Sequence, residues 1–553
     1  MSFFLARFPV FAMLAAVLLS TSCAVGPDFE KPAAPDVQGY VSEGTPAKTA
    51  EAETPGGAAQ SFAVGQDIPS EWWKLFHSEP LNQLVTKALA ASPDIEAARA
   101  SLREAEENVR ASEGAFFPSL DGRASGTREK MSGVAMGKNI PAYTLYNSSV
   151  SVSYVLDVFG GTRREVESLE ALAEMQRYEL EAAYLTLTSN VVTAAIQEAS
   201  LREQIAATQD VIQAQEKQLE LTKRQFELGA VGKPAVLAQQ ATLAEAKAML
   251  PPMGKQLAQT RHLLAALVGQ FPSQELAATF ELSALTLPEV LPLSLPSQLV
   301  EQRPDVKAAT AQMHAASAAI GVATANMLPR LALTGSYGVN AGQLADMFSP
   351  GSAIWSIGGS LLQPLFHGGE LLHKKRASEA AFEKSAALYR RTVLAAFQNV
   401  ADSLRAIQSD ADTLKAQLSA ERTAADNLKL SKEQFNAGAI SYLSLLTADQ
   451  AYQAAKILLV QARAKRFADT VALFQSLGGG WWNKPPETPQ ETKTETPTPE
   501  TAATTVEEKP AADTPAANEP KEKQPVEPTI TPISTMPSKQ LWRKSSSSAE
   551  NSQ

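Results

Sequence analysis

The stretch Tyr146-Asn147-Ser148-Ser149-Val150-Ser151-Val152-Ser153-Tyr154-Val155-Leu156-Asp157-Val158 alternates almost strictly. In an extended strand Tyr146, Val150, Val152, Tyr154, Leu156 and Val158 share one face. Asn147, Ser149, Ser151, Ser153 and Asp157 share the other, because successive side chains point to opposite sides. Trp355, Ile357, Gly359 and Leu361 alternate in the same way with Ser356, Gly358 and Ser360. Leu120–Thr127 and Leu331–Asn340 are the expected hairpin partners. A half-buried antiparallel sheet with one wet face satisfies this pattern. So does a transmembrane barrel, apolar toward lipid and polar toward a water-filled lumen. Context favours the barrel. Strands of about 10–13 residues suit a tilted bilayer crossing, and the connection Arg128–Tyr143 is long and polar, as an external loop is. Open sheet edges are too costly in lipid, so spanning strands must close. Four are too few for that, and several chains must share one barrel; two would give about eight strands and three about twelve.

Working outward, the strands belong to a tandem repeat. Pro93-Asp94-Ile95-Glu96-Ala97-Ala98 matches Pro304-Asp305-Val306-Lys307-Ala308-Ala309, and Pro118-Ser119-Leu120 matches Pro329-Arg330-Leu331. Gln225-Phe226-Glu227-Leu228-Gly229-Ala230-Val231 matches Gln434-Phe435-Asn436-Ala437-Gly438-Ala439-Ile440. Each repeat opens with a helix that has proline in its first turn, followed by the two alternating segments. A stretch without glycine or proline then runs over 162–228 in one half and 370–437 in the other. Both are rich in good helix formers, and at 1.5 Å per residue each would reach roughly 100 Å. Such length belongs to a coiled coil or a helical barrel. Each long helix should stop at a glycine turn and be followed by a returning helix. Pro251-Pro252 should break the first of these, making the duplication asymmetric.

The chain has 553 residues, a net charge of −10 and one cysteine. The charge argues against nucleic-acid binding, and a single cysteine excludes internal disulfides and cysteine metal clusters. The five histidines form no i,i+4 pair, and the motifs of metalloproteases, serine hydrolases and nucleotide-binding loops are missing. The sequence therefore calls for no enzyme, cofactor or metal. Residues 1–22 have a signal-peptide layout, a basic start before an apolar run. The expected organisation continues with a lipid-anchored segment and flexible tether over 23–70, a first repeat over 71–271 and a linker over 272–293. A second repeat follows over 294–482. Residues 483–553 hold 12 of the 34 prolines and few large apolar groups, which predicts a disordered tail.

These features together resemble the TolC/OprM-type outer-membrane efflux proteins, in the lipoprotein (NodT-like) branch that serves RND tripartite efflux systems. Leu19-Ser20-Thr21-Ser22-Cys23 resembles a lipobox, which marks Cys23 for acylation and palmitoylation. Cys23-Ala24-Val25-Gly26-Pro27-Asp28-Phe29 resembles the branch's mature start, and Trp72-Trp73-Lys74-Leu75-Phe76 its opening motif. Leu295-Pro296-Ser297-Gln298-Leu299 with Arg303-Pro304-Asp305-Val306 resembles its middle, and Leu477-Gly478-Gly479-Gly480-Trp481 its end. The resemblance covers about 23–30 and 70–482. It implies a mostly α fold with a β-barrel: a homotrimer in which four strands per chain form a 12-stranded barrel continuous with a long periplasmic α-helical barrel. It also implies a passive exit duct for small toxic compounds, working with a periplasmic adaptor (membrane fusion) protein and an inner-membrane pump of the RND class.

By that resemblance the helical tips meet the adaptor, making Gly229, Val231, Gly232, Gly438 and Ile440 the expected contacts. Some members narrow the periplasmic end with an aspartate ring. Here Ser444 and Thr447 stand at the matching places, which leaves Leu443, Leu446 and Asp449 as gate candidates. Two alternatives share parts of the pattern: an exit duct for type I protein secretion and a lipid-anchored periplasmic coiled-coil scaffold. The alternating strands count against the scaffold, which needs no polar lumen.

Overall fold

The computed structural model describes residues 24–44, 47–132, 141–274 and 276–484. Cys23, the signal segment and the tail from 485 onward lie outside the described residues, as do 133–140 of the first outer loop. Strand β1 (Ser61–Val64) is followed by a 3-10 turn at Trp72–Phe76. Helices α1 (Glu79–Ala91) and α2 (Pro93–Glu113) both have proline in the first turn, where its missing N–H had no helical partner to lose. The hairpin β2 (Ser119–Glu129) and β3 (Tyr143–Leu156) leads into α3 (Gly161–Glu227), and α4 (Lys233–Leu267) returns. The second half adds β4 (Val290–Leu293), α5 (Pro296–Gln302), α6 (Pro304–Ala325), β5 (Arg330–Ala341) and β6 (Ala353–Leu362). It closes with α7 (Glu370–Asn436) and α8 (Tyr442–Ser476).

Both long helices span 67 residues, and both return helices span 35. The expected break at Pro251-Pro252 does not occur; helix α4 continues through both prolines. Both are exposed, so the carbonyls they free can turn to water instead of being buried unpaired. The flanking parts are held independently: Leu243 and Ala246 pack on Ile212 of α3, while Leu264 and Ala265 belong to the main core. Tertiary packing offsets a local cost of roughly 3 kcal/mol per interior proline.

The main core draws on both repeats and takes in Leu291 and Leu293 of β4. Trp72, Phe76, Ile68, Phe467 and Phe474 are buried there. Gly480 turns the chain beside them at φ 71°, and a Cβ there would stand 2.3 Å from the Ile68 carbonyl oxygen. Only glycine fits both demands.

The predicted flexible tether is docked instead. Val25 N–H donates to the Phe159 carbonyl at 3.0 Å, and Asp28 pairs with the nearly buried Arg164 at 2.6 Å. Phe29 stacks on His314, and the Tyr40 hydroxyl donates to the Ser294 carbonyl at 2.8 Å. Farther on, buried Arg466 donates to the carbonyls of Gly56 and Ala58, both at 3.0 Å, and to Gln60 Oε1 at 3.1 Å. β1 pairs in parallel with β4, which structures the end of the expected linker too. A composition poor in large apolar residues hid this strap, because it is held by single polar side chains and by backbone carbonyls. Any residue supplies the carbonyls.

Candidate transport pathway

The second sheet has the antiparallel order β2-β3-β5-β6, and its register sorts the side chains into two faces. On one face Gly122, Val150, Tyr337 and Trp355 lie in a row, beside a row of Leu120, Val152, Gly335 and Ile357. This face is apolar yet bare: Ile357 is 84% exposed and Trp355 73%. A contiguous apolar surface of this kind needs a nonaqueous partner. The opposite face carries the row Asp121, Ser151, Ser336 and Ser356, and the hydroxyls of Ser336 and Ser356 lie 2.8 Å apart. Lipid outside and water inside is the arrangement that suits both. The outer edges of β2 and β6 have no strand partner among the described residues.

Strand β3 ends at Leu156, so Asp157 does not belong to the polar face as the alternation suggested. Its carboxylate instead accepts the N–H groups of Thr162 and Arg163, each at 3.0 Å, at the start of α3. A negative charge there satisfies free N–H groups and complements the helix dipole. No helix among the described residues is long and apolar enough to cross a membrane.

At the far ends of the long helices the two tips are built alike. Gly229 and Gly438 adopt φ 74° and 73°. Ala230 N–H reaches back to the Gln225 carbonyl and Ala439 N–H to that of Gln434, both at 2.8 Å, as in a glycine-terminated Schellman motif. Gly232 stands just before α4, and Ser441 caps α8 through the Ser444 N–H at 3.2 Å. Val231 and Ile440 are half-buried in these turns. Leu228 is the most exposed apolar side chain of the first tip at 79%.

Behind the tips a polar seam joins the two helical hairpins. Tyr442 donates to Gln239 Oε1, Gln239 Nε2 donates to the Gln215 carbonyl at 3.2 Å, and Gln215 Nε2 donates to Asp449. They surround a cavity of about 40 Å³ that Leu446 and Lys432 also line. Burial raises the Asp449 pKa above its ordinary value, with Lys432 and hydrogen bonds from Gln453 and Gln215 opposing. The three gate candidates therefore separate. Leu446 is buried in the seam, on the helix face it shares with Asp449 three residues on, and it does not project into open space. Leu443 is 67% exposed. Gln215, Gln239 and Tyr442 escaped the sequence reading, since amides more than 200 positions from their partner carry no motif.

A second buried polar group lies where the strap meets α8. Asp410 and Asp469 adjoin one another, with Lys465 Nζ 3.1 Å from Asp410. Burial and the Asp410 carboxylate push the Asp469 pKa up to about 7.

An apolar-out, hydroxyl-in sheet continuing into 67-residue helices defines a class, the membrane ducts that bridge a bilayer and a broad aqueous space. The family profile of the outer membrane efflux proteins matches residues 84–270 and 295–479, and the chain belongs to that family. It is 30% identical over 430 residues to the pyoverdine export outer membrane protein OpmQ of Pseudomonas aeruginosa, covering 76% of this chain and 90% of that one. It is 28% identical to nodulation protein T of Rhizobium leguminosarum bv. viciae, covering 88% and 96%. The solved outer-membrane channel OprN superposes with a TM-score of 0.74 at 27% identity, covering 83% of this chain and all of that one. The protein is thus an outer-membrane efflux channel.

Proposed function

We propose that the protein is the trimeric, lipid-anchored exit duct of a tripartite system. It would pass small toxic compounds from an RND-class inner-membrane pump, through a periplasmic adaptor, to the outside. The observation that carries this reading is the four-stranded sheet with two open edges. Edges in lipid must pair, and three copies give a barrel of about twelve strands. Ala24 lies against Gly160 at the sheet's helical end, so acylated Cys23 would emerge at the membrane surface and reinforce attachment. Export of pyoverdine by a relative supports small-molecule cargo.

The test is the mass of the detergent-extracted complex, followed by conductance in planar bilayers. A conducting trimer is the expected result; a stable monomer that leaves the membrane without detergent, once delipidated, overturns it. The tips would serve the adaptor. Val231→Asp combined with Ile440→Asp should abolish drug export while leaving the trimer intact, and unimpaired export would remove the docking role.

A further inference from the structure

Between the sheet and the long helices lies a groove of about 900 Å³, bounded by α3, α6, the start of α7 and the ends of β5 and β6. Two independent features place it on the lumenal side. Arg330 and Leu362, which line it, are register partners on the same face as Thr334 and Ser336, the hydroxyl face. Across α6, Gly321 and His314 face the strap through Val25 and Phe29. Ala319, Val322, Ala323 and Asn326 line the groove on roughly the opposite side of that helix. The strap carries the N-terminal anchor and so runs outside the duct, which leaves the groove inside.

The groove is amphipathic. Its floor is apolar, with the half-buried Leu169 and Val322, while the exposed Arg330, Leu365, His367 and Lys374 stand at its rim. Lys374 is engaged by Glu370 at 2.6 Å. The Arg330 side chain has no ion-pair or hydrogen-bond partner among the described residues, and it is the one charged residue of β3, β5 and β6. Glu165 on α3 faces the rim from the other wall.

We propose that this groove is a way station for amphipathic organic anions, where Arg330 receives a carboxylate or sulfonate and the apolar floor receives the hydrocarbon body. A volume of this size suits a small molecule, and a guanidinium binds such oxyanions with two parallel hydrogen bonds. Glu165 opposes the anion and keeps residence short. The position equivalent to Arg330 in the first repeat is Ser119, so a trimer has three stations and not six.

The proposal rests on the channel reading, and single-channel recording separates the two. The probes are 1-naphthalenesulfonate and, for opposite charge, 1-naphthylmethylammonium, added from the barrel side. The sulfonate should produce blockades about ten times longer than the ammonium, the factor set by one charge-assisted hydrogen bond. Arg330→Gln should shorten them about tenfold, Arg330→Lys should keep most of the effect, and Glu165→Gln should lengthen them. Trimer size on gel filtration controls for folding. Equal dwell times for the two probes, or sulfonate blockades unchanged by Arg330→Gln, overturn the station while leaving the pore. An absence of any conductance overturns the channel reading and the station with it.

Discussion

The two repeats agree in measure and differ in chemistry. Their long helices and their return helices are equal in length, although only the first return helix contains prolines. Their first strands differ: β2 carries Asp121, Arg123, Arg128 and Glu129, whereas its counterpart β5 carries only Arg330. The first repeat gives Gln215 and Gln239 to the seam, and the second gives Tyr442 and Asp449. Helix length is set by distributed propensity and by glycine stops, so it tolerates much local change. The tips are alike in both repeats, whereas the polar seam and the strand charges are not.

The comparison breaks most completely in the sheet. Tyr337→Pro removes an N–H from β5, which pairs on both sides, and proline is tolerated essentially only on edge strands or at bulges. Outer-membrane trimer should vanish on a gel of unheated extract. Next comes the strap's uneven grip. Arg466→Ala leaves two carbonyls and Gln60 without their donor and should cost about 3 kcal/mol in denaturant unfolding. Arg164→Ala in the first repeat should cost about 1 kcal/mol, since its partner Asp28 is largely exposed. Equal losses would mean that the strap treats both repeats alike.

The seam should respond next. Gln239→Ala severs its contacts to both Gln215 and Tyr442, and the open fraction in single-channel records should rise about tenfold. Tyr442→Phe should do less. The raised pKa of Asp449 favours its neutral form in the seam. That contribution is complete below the ordinary value of 3.8 and fades as pH rises through the raised one, so acid should close the channel further. Asp449→Asn should remove this dependence.

The smallest effect concerns Asp469, with its pKa near 7. Its stabilising contribution is complete below 3.8 and is lost as pH rises through about 7. Melting temperatures of the parent should therefore fall between about pH 5 and pH 8, and Asp469→Asn should flatten that slope.

Periodicity made the hairpins and long helices legible, because strand alternation and the lack of glycine and proline act within a few residues. The glycines of the tips were legible for the same reason. Asp157 was misplaced because alternation does not say where a strand yields to a helix. The burial of Leu446 was not legible, because helical phase alone does not show which side a neighbouring hairpin covers. The seam and the strap were invisible for another reason. Both join polar groups across 200 or more positions, as Gln215 to Asp449 and Gly56 to Arg466 do, and neither hydrophobic pattern nor motif marks such bonds.

The strap also determines how the molecule bears force. A pump pulling on the tips would place the helices in tension against whatever holds the other end. The strap is fastened at Arg164, at Ser294, at Arg422 and at Arg466. Loaded along its length, these fastenings share the strain in shear, and none must bear it alone. Were the head of the strap also held at the membrane, it would act as a mooring line in parallel with the barrel.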